Sequence, residues 1–103
     1  MLSRTWITII LIQSSMSFSQ FTQKDYEVIA RNYAELKEAA KKRCAGEQEL
    51  DVVQKAFDFA NEAHKNVRRR SGEPYMLHPI AVAKIVVNDI GLGYKSIAAA
   101  LLH

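Results

Sequence analysis

The stretch VRRRSGEPYMLHPIAVAKIVV, residues 67–87, decides how this chain folds. Three consecutive arginines run into Ser-Gly-Glu-Pro, a tetrapeptide that favours a turn because glycine and proline end regular elements. His78 and Pro79 follow, and proline is favoured at the first position of a helix, where its missing N–H has no helical partner. The stretch therefore predicts a basic loop and a turn that lead into a helix beginning at Pro79. Its predicted buried face consists of Ile80, Ala83, Val87 and Ile90.

Helical patterns also lie on both sides of this stretch. Thr22 and Asp25 have the spacing of a capping box, which predicts the start of a first helix. A second helix is predicted from about residue 47 to 66, and Gly91 predicts a turn into a fourth helix that begins near Tyr94. Period-2 alternation is absent. The sequence therefore predicts an all-α fold, a helical bundle. The predicted apolar face of the first helix is Tyr26, Ile29, Tyr33, Leu36 and Ala40. That of the second helix is Leu50, Val53, Phe57, Ala60 and His64. That of the fourth helix is Ile97, Ala98, Leu101 and Leu102.

Size and composition indicate an ordinary globular chain. The 103 residues, 49% hydrophobic and 24% charged, allow at most one small domain. The net charge of +3 is too weak to indicate a nucleic-acid partner. Positive charge is concentrated in Lys65 and residues 68–70. Cys44 is the single cysteine, so no disulfide can form within the chain and an oxidising compartment is not indicated.

The first twenty residues, MLSRTWITIILIQSSMSFSQ, differ in character from the rest. Arg4, a short apolar run and small polar residues have the outline of a secretory signal peptide. The apolar run is far too short to span a bilayer. The alternative, which we favour, is an upstream extension, with translation starting at Met16. In either case residues 1–20 are predicted to lie outside the fold and residues 21–103 to form it.

Two histidines have related predicted positions. The helix after His78 is roughly 18 Å long at ~1.5 Å per residue, and a short turn makes the next helix its antiparallel neighbour. His78 and His103 are therefore expected near the same end of a helical hairpin, beside the basic loop. Two imidazoles suggest a metal site, but catalytic metals usually take at least three protein ligands. On spacing alone, the favoured interpretation is a helix-capping residue at 78 and a terminal side chain at 103.

Two segments carry a resemblance to a known family. AFDFANEAHKNVRRRSGEPYMLHPIAVAKIVV, followed by GYKSIAAALLH, closely resembles the start of the hydrolase domain of the RelA/SpoT family, the enzymes that make and degrade the alarmones ppGpp and pppGpp. The resemblance covers about residues 22–103 and is dense from Ala56 onward. It implies the N-terminal portion of an HD-superfamily domain, an all-helical metal-dependent phosphohydrolase. Residues 21–103 would be part of that domain, cut at the histidine of its His-Asp pair.

The resemblance also implies roles for individual residues. The family binds Mn²⁺ through two histidines and two aspartates, and the histidines match His78 and His103. The aspartate of the His-Asp pair would be the next residue. The family's basic loop holds the guanosine part of the substrate, and its basic pair matches Arg69 and Arg70, with Ser71 beside them. Arg70 is a mild departure, because many members have lysine there. Arg68 is interpreted as a plain surface charge.

The implied activity is hydrolysis of the 3′-diphosphate of ppGpp or pppGpp, which gives GDP or GTP and pyrophosphate in the stringent response. The parent enzyme would be cytoplasmic, with no membrane or nucleic-acid contact through this segment, and its full length would allow association with ribosomes or regulators. This chain alone is predicted to be inactive, because half of the metal ligands are missing. The alternatives are a non-catalytic helical module that binds a guanine nucleotide or a protein, and an exported helical protein.

Overall fold

The computed structural model of the chain describes residues 16–103, and the prediction for residues 1–15 lies outside this part. The described part is a helical bundle, which confirms the all-α prediction. Its strands are β1 (Ser17–Phe18) and β2 (Val67–Arg68), and its helices are α1 (Gln23–Lys41), α2 (Glu47–Ala63), α3 (Leu77–Ile85) and α4 (Tyr94–Leu102), with a π-helical turn (Val86–Ile90) directly after α3.

The first helix begins at the predicted capping box. Asp25 N donates to Thr22 Oγ1 over 3.2 Å, and Thr22 N donates to Asp25 Oδ2 over 2.8 Å. The backbone N–H groups of the capping residue Thr22 and of Asp25 are thereby satisfied. Tyr26, predicted on the buried face, is 41% exposed. The rest of the predicted face is buried: Ile29, Tyr33, Leu36 and Ala40.

The second helix ends three residues before the predicted position. His64 caps α2, and Asn66 has a φ of 64°, in the left-handed region. A left-handed residue cannot continue an α-helix, so the chain reverses direction here. Residues 64–66 therefore form a turn that leads into β2.

The third helix begins at Leu77 rather than at Pro79. Pro79 is its third residue, and the missing N–H has no cost there because the first-turn N–H groups lack helical partners. His78 lies inside the first turn, so the interpretation of His78 as a helix cap is wrong. The helix continues into the π-helical turn, which Gly91 closes with a φ of 79° and an N–H that donates to Val86 O over 2.9 Å.

Residues 17–20 are part of the fold, which corrects the prediction that left residues 1–20 outside it. β1 pairs with β2 in antiparallel register, Ser17 opposite Arg68 and Phe18 opposite Val67. Ser19 N also donates to Asn66 O over 2.9 Å. A ladder of two residues in each strand is too short to produce a period-2 pattern, so no alternation indicated it.

The core lies where α4 packs against α2 and α3. Met76, immediately before α3, is fully buried and fixes the end of the basic loop to this core. The largest fully buried side chains are Leu36, Val53, Met76, Ile80, Ile97 and Leu101. No helix within residues 16–103 is both long and apolar enough to cross a bilayer.

Candidate functional site

The basic loop, residues 69–73, is a tight turn with its own hydrogen bonds. Arg69 N donates to Glu73 O over 2.9 Å, and Gly72 N donates to Arg69 O over 2.8 Å. Gly72 has a φ of 93°, a conformation that glycine adopts without steric cost. Below the turn, Tyr75 N donates to Val67 O over 2.8 Å. The loop therefore projects from the bundle as a closed hairpin.

The predicted nucleotide-binding residues lie at the exposed tip of this loop. Arg69, Arg70 and Ser71 are all exposed. The Nη1 atom of Arg69 lies 3.9 Å from Glu73 Oε1, an ion pair that contributes little to stability because both side chains are about half exposed. These arginines are thus available to a ligand in solution.

The structure brings Arg69 into contact with His78. Arg69 Nη1 and His78 Nδ1 are 3.4 Å apart. A guanidinium group only donates hydrogen bonds, so His78 Nδ1 is the acceptor in this contact.

The second predicted ligand, His103, follows α4 and is exposed. Because α3 packs against α4, both histidines belong to one helical pair, but their convergence on a single ion stays a prediction. Across residues 16–103, no three or more His, Cys, Asp or Glu side chains are close enough together to hold a metal ion.

Arg68 is a structural residue, so its interpretation as a plain surface charge is wrong. Its side chain is only 14% exposed and lies 2.7 Å from Asp25 Oδ2. The same guanidinium donates to Gln20 O over 2.8 Å and to Gly72 O over 3.0 Å, and it lies 5.2 Å from the centre of the Phe21 ring. The hydrogen bond from Arg68 is the main cause that lowers the pKa of Asp25 to about 2.

Tyr75 lies between two histidines beside the loop. Its ring centre is 4.6 Å from that of His64 and 6.0 Å from that of His78. Burial lowers the pKa of His64, so this imidazole is held neutral against the tyrosine ring. His64 therefore packs as an apolar residue would. The sequence carried no signal that Tyr75 packs between the two histidines.

Comparison with known proteins finds similar sequences for the region that carries this site. Residues 56–103, which include the loop and both histidines, match the family described as HD domain. The putative chloroplastic GTP diphosphokinase RSH1 of Arabidopsis thaliana is 50% identical over 56 residues, which are 54% of this chain and 6% of that protein. The guanosine-3′,5′-bis(diphosphate) 3′-pyrophosphohydrolase of Aquifex aeolicus is 41% identical over 56 residues, 54% of this chain and 8% of that protein. Over this region the chain is similar to RelA/SpoT proteins.

Other RelA/SpoT relatives agree. The bifunctional (p)ppGpp synthase/hydrolase RelA of Mycobacterium tuberculosis is 40% identical over 55 residues, 53% of this chain and 7% of that protein. The chain spans only 6 to 8% of the length of these relatives. No solved structure matches the chain significantly. The named RelA/SpoT relatives are hydrolases or synthetases of guanosine polyphosphates, and HD domains are generally metal-dependent.

Proposed function

We propose that this chain is part of a (p)ppGpp 3′-pyrophosphohydrolase domain. In this proposal Arg69, Arg70 and Ser71 bind the guanosine nucleotide, and His78 and His103 are two of the ligands of a Mn²⁺ ion. Two comparisons support this proposal. Residues 56–103 match an HD domain, and one relative is named as this hydrolase. Such a substrate implies a cytoplasmic protein that needs neither a membrane nor nucleic acid for its reaction.

The observation that carries the proposal is the contact between Arg69 and His78. A candidate nucleotide-binding group and a candidate metal ligand lie 3.4 Å apart, although nine positions separate them in the sequence. A substrate held by the loop would therefore have its phosphates beside the imidazole of His78. A phosphohydrolase needs to recognise its substrate and to assist the reaction with a metal ion. In this proposal, a residue for each of these functions lies at this contact.

The residues of this chain would contribute binding and orientation. A guanidinium group stacks on a planar base and forms paired hydrogen bonds with phosphate, so Arg69 and Arg70 suit a guanosine polyphosphate. Imidazole and carboxylate ligands together suit a divalent cation such as manganese. The chemistry that the bound ion supplies is polarisation of a phosphoryl oxygen and a lower pKa for a bound water. The expected reaction is the hydrolysis of ppGpp to GDP and pyrophosphate.

Binding of ppGpp to this chain tests the recognition part. We expect Arg69→Ala and Arg70→Ala each to weaken binding by about tenfold or more, since a hydrogen bond to a charged group contributes roughly 1.5–3 kcal/mol. Isothermal titration calorimetry measures the dissociation constant. The matched control is Arg31→Ala, which removes the same charge from an exposed position of α1. An equal loss of affinity in all three variants would show that the lower net charge alone weakens binding, which would contradict the proposed site.

Transfer of the segment into a relative tests the catalytic part. Residues 56–103 replace the matching segment of the Aquifex aeolicus hydrolase, and release of pyrophosphate from ppGpp is measured with and without Mn²⁺. We expect manganese-dependent hydrolysis, and its loss when His78→Ala is introduced into the hybrid. A folded hybrid that binds ppGpp but releases no pyrophosphate would favour the non-catalytic binding module instead.

A further inference from the structure

The segment before α1 is joined to the basic loop by a dense set of polar contacts. Residues 17–25 reach the loop region through three connections: the β1–β2 ladder, the turn at Asn66 and the guanidinium of Arg68. More than forty positions of sequence separate the two sides of each connection. None of these residues belongs to the proposed nucleotide contacts, so the connections need an explanation of their own.

Asn66 provides one of the connections. Its backbone O accepts from Ser19 N over 2.9 Å, and its side-chain Oδ1 accepts from Phe21 N over 2.9 Å. Asn66 itself has a φ of 64°, a conformation that asparagine tolerates better than most residues. The N-terminal segment thus fixes the residue at which the chain turns from α2 into β2.

Arg68 provides the second connection and extends it into the loop. Two of its hydrogen bonds go to the N-terminal segment, to Gln20 O and to Asp25 Oδ2, and a third goes to Gly72 O within the loop. The ion pair with Asp25 is largely shielded from water, since the two side chains are 14% and 17% exposed. One largely shielded guanidinium therefore ties the tip of the loop to the start of α1.

We propose that residues 17–25 form a positioning segment for the basic loop. Asp25, acting through Arg68, holds the loop in the conformation that presents Arg69 and Arg70 to the nucleotide. Ordering a free loop costs conformational entropy, and a loop that is already ordered binds its ligand without that loss. The proposal rests on the proposed function, because it takes the loop as the nucleotide site.

The test compares variants of the connection with variants of the contact. Arg68→Lys keeps the charge and leaves the capping box intact, but a lysine ammonium cannot make the three-way set of hydrogen bonds. Asp25→Asn removes the charge from the other side of the ion pair. The control is Asp51→Asn, which makes the same change in an exposed pair with Lys55 at 3.0 Å. Arg69→Ala removes the direct contact.

Two quantities are measured in the full chain at a temperature where all variants are folded. Hydrogen exchange reports the Arg69 and Gly72 amides, both of which donate within the loop. Calorimetry reports the dissociation constant of ppGpp. We expect Arg68→Lys and Asp25→Asn to speed exchange at these two amides about tenfold or more, and to raise the dissociation constant by about five- to tenfold, in proportion to the lost fraction of ordered loop. Asp51→Asn should change neither.

Coupling separates positioning from general stability. If Arg68 acts through Arg69 and Arg70, Arg68→Lys should weaken binding much less in a background that carries both Arg69→Ala and Arg70→Ala than in the wild type. Additive effects, or wild-type binding by Arg68→Lys, would overturn the proposal. If the wild type itself does not bind ppGpp, the proposed function fails. In that case hydrogen exchange at the loop amides still tests whether residues 17–25 order the loop. Unchanged exchange rates in Arg68→Lys would overturn this ordering role.

Discussion

At the scale of single residues, the ion pair between Asp25 and Arg68 makes a pH-dependent contribution to stability. Hydrogen bonds, first from Arg68 and then from Thr22, lower the pKa of Asp25 from its ordinary 3.8 to about 2. Because folding lowers this pKa, the ionised carboxylate favours the native state. The contribution is complete above pH 3.8 and is lost as the pH falls towards 2.

We therefore expect Arg68→Gln to raise the pKa of Asp25 back towards its ordinary value. Carbon-detected NMR of the Asp25 carboxyl group through an acid titration measures this pKa directly. The loss of stability between these two pH values should be smaller in Arg68→Gln than in the wild type. A carboxyl group that titrates at the same pH in both proteins would contradict the structural role of Arg68.

Residues of the site differ in how far the sequence could predict them. Turn chemistry around Gly72 was enough to place Arg69 and Arg70 at an exposed tip, because the cause is local. The role of Arg68 was not predictable in this way, since its partner Asp25 is 43 positions away. A run of three arginines looks uniform in the sequence. Only the tertiary fold makes the first of them structural and leaves the next two exposed at the tip of the loop.

At the scale of elements, the junction between the π-helical turn and α4 depends on Gly91. Its φ is 79°, and a Cβ atom at this position would lie 3.2 Å from Nη2 of Arg43. A side chain here meets two costs, the left-handed backbone and a close approach to the guanidinium. The former alone costs roughly 1–2 kcal/mol for a residue other than glycine.

We expect Gly91→Ala to lower the free energy of unfolding by about 1–2 kcal/mol. Gly91→Asn should cost less backbone energy, because asparagine tolerates the left-handed region. Gly72→Ala separates the two causes, since Gly72 also has a positive φ but has no atom within 4 Å of the added Cβ. Urea denaturation of the three variants measures these differences. Equal losses in Gly91→Ala and Gly72→Ala would show that the contact with Arg43 contributes nothing.

The helices themselves could be predicted from the sequence, but their ends and the short ladder could not. Helix types and most of the buried faces followed from the 3.6-residue periodicity and the capping box, which are local signals. The predictions that Tyr26, Ile90 and Leu102 lie on those faces were wrong, because all three side chains are exposed. Helix ends were less predictable. The end of α2 depends on the left-handed turn at Asn66, which the N-terminal segment stabilises through long-range hydrogen bonds. The β1–β2 ladder is also a long-range feature, so it has no local pattern to reveal it.

At the scale of the whole molecule, one surface of the bundle remains apolar. A groove of about 400 Å³ runs between α2 and α4. Its lining residues are Val52, Lys55, Ala56, Phe59, Ala98 and Leu102. Phe59 is 71% exposed, the largest exposed fraction among the big apolar side chains of residues 16–103. A contiguous apolar surface of this kind promotes association, because burial removes it from water.

We expect the chain to self-associate through this groove and Phe59→Glu to reduce the association. A charge at this position opposes burial, yet the variant should fold normally, because substitutions at exposed positions usually change stability by less than about 0.5 kcal/mol. Sedimentation velocity over a range of concentrations measures the effect. Ile90→Glu is the control, since Ile90 is 60% exposed but lies in the π-helical turn, outside the groove. If both variants associate like the wild type, the groove is not the surface involved; if both lose association equally, added negative charge is the cause.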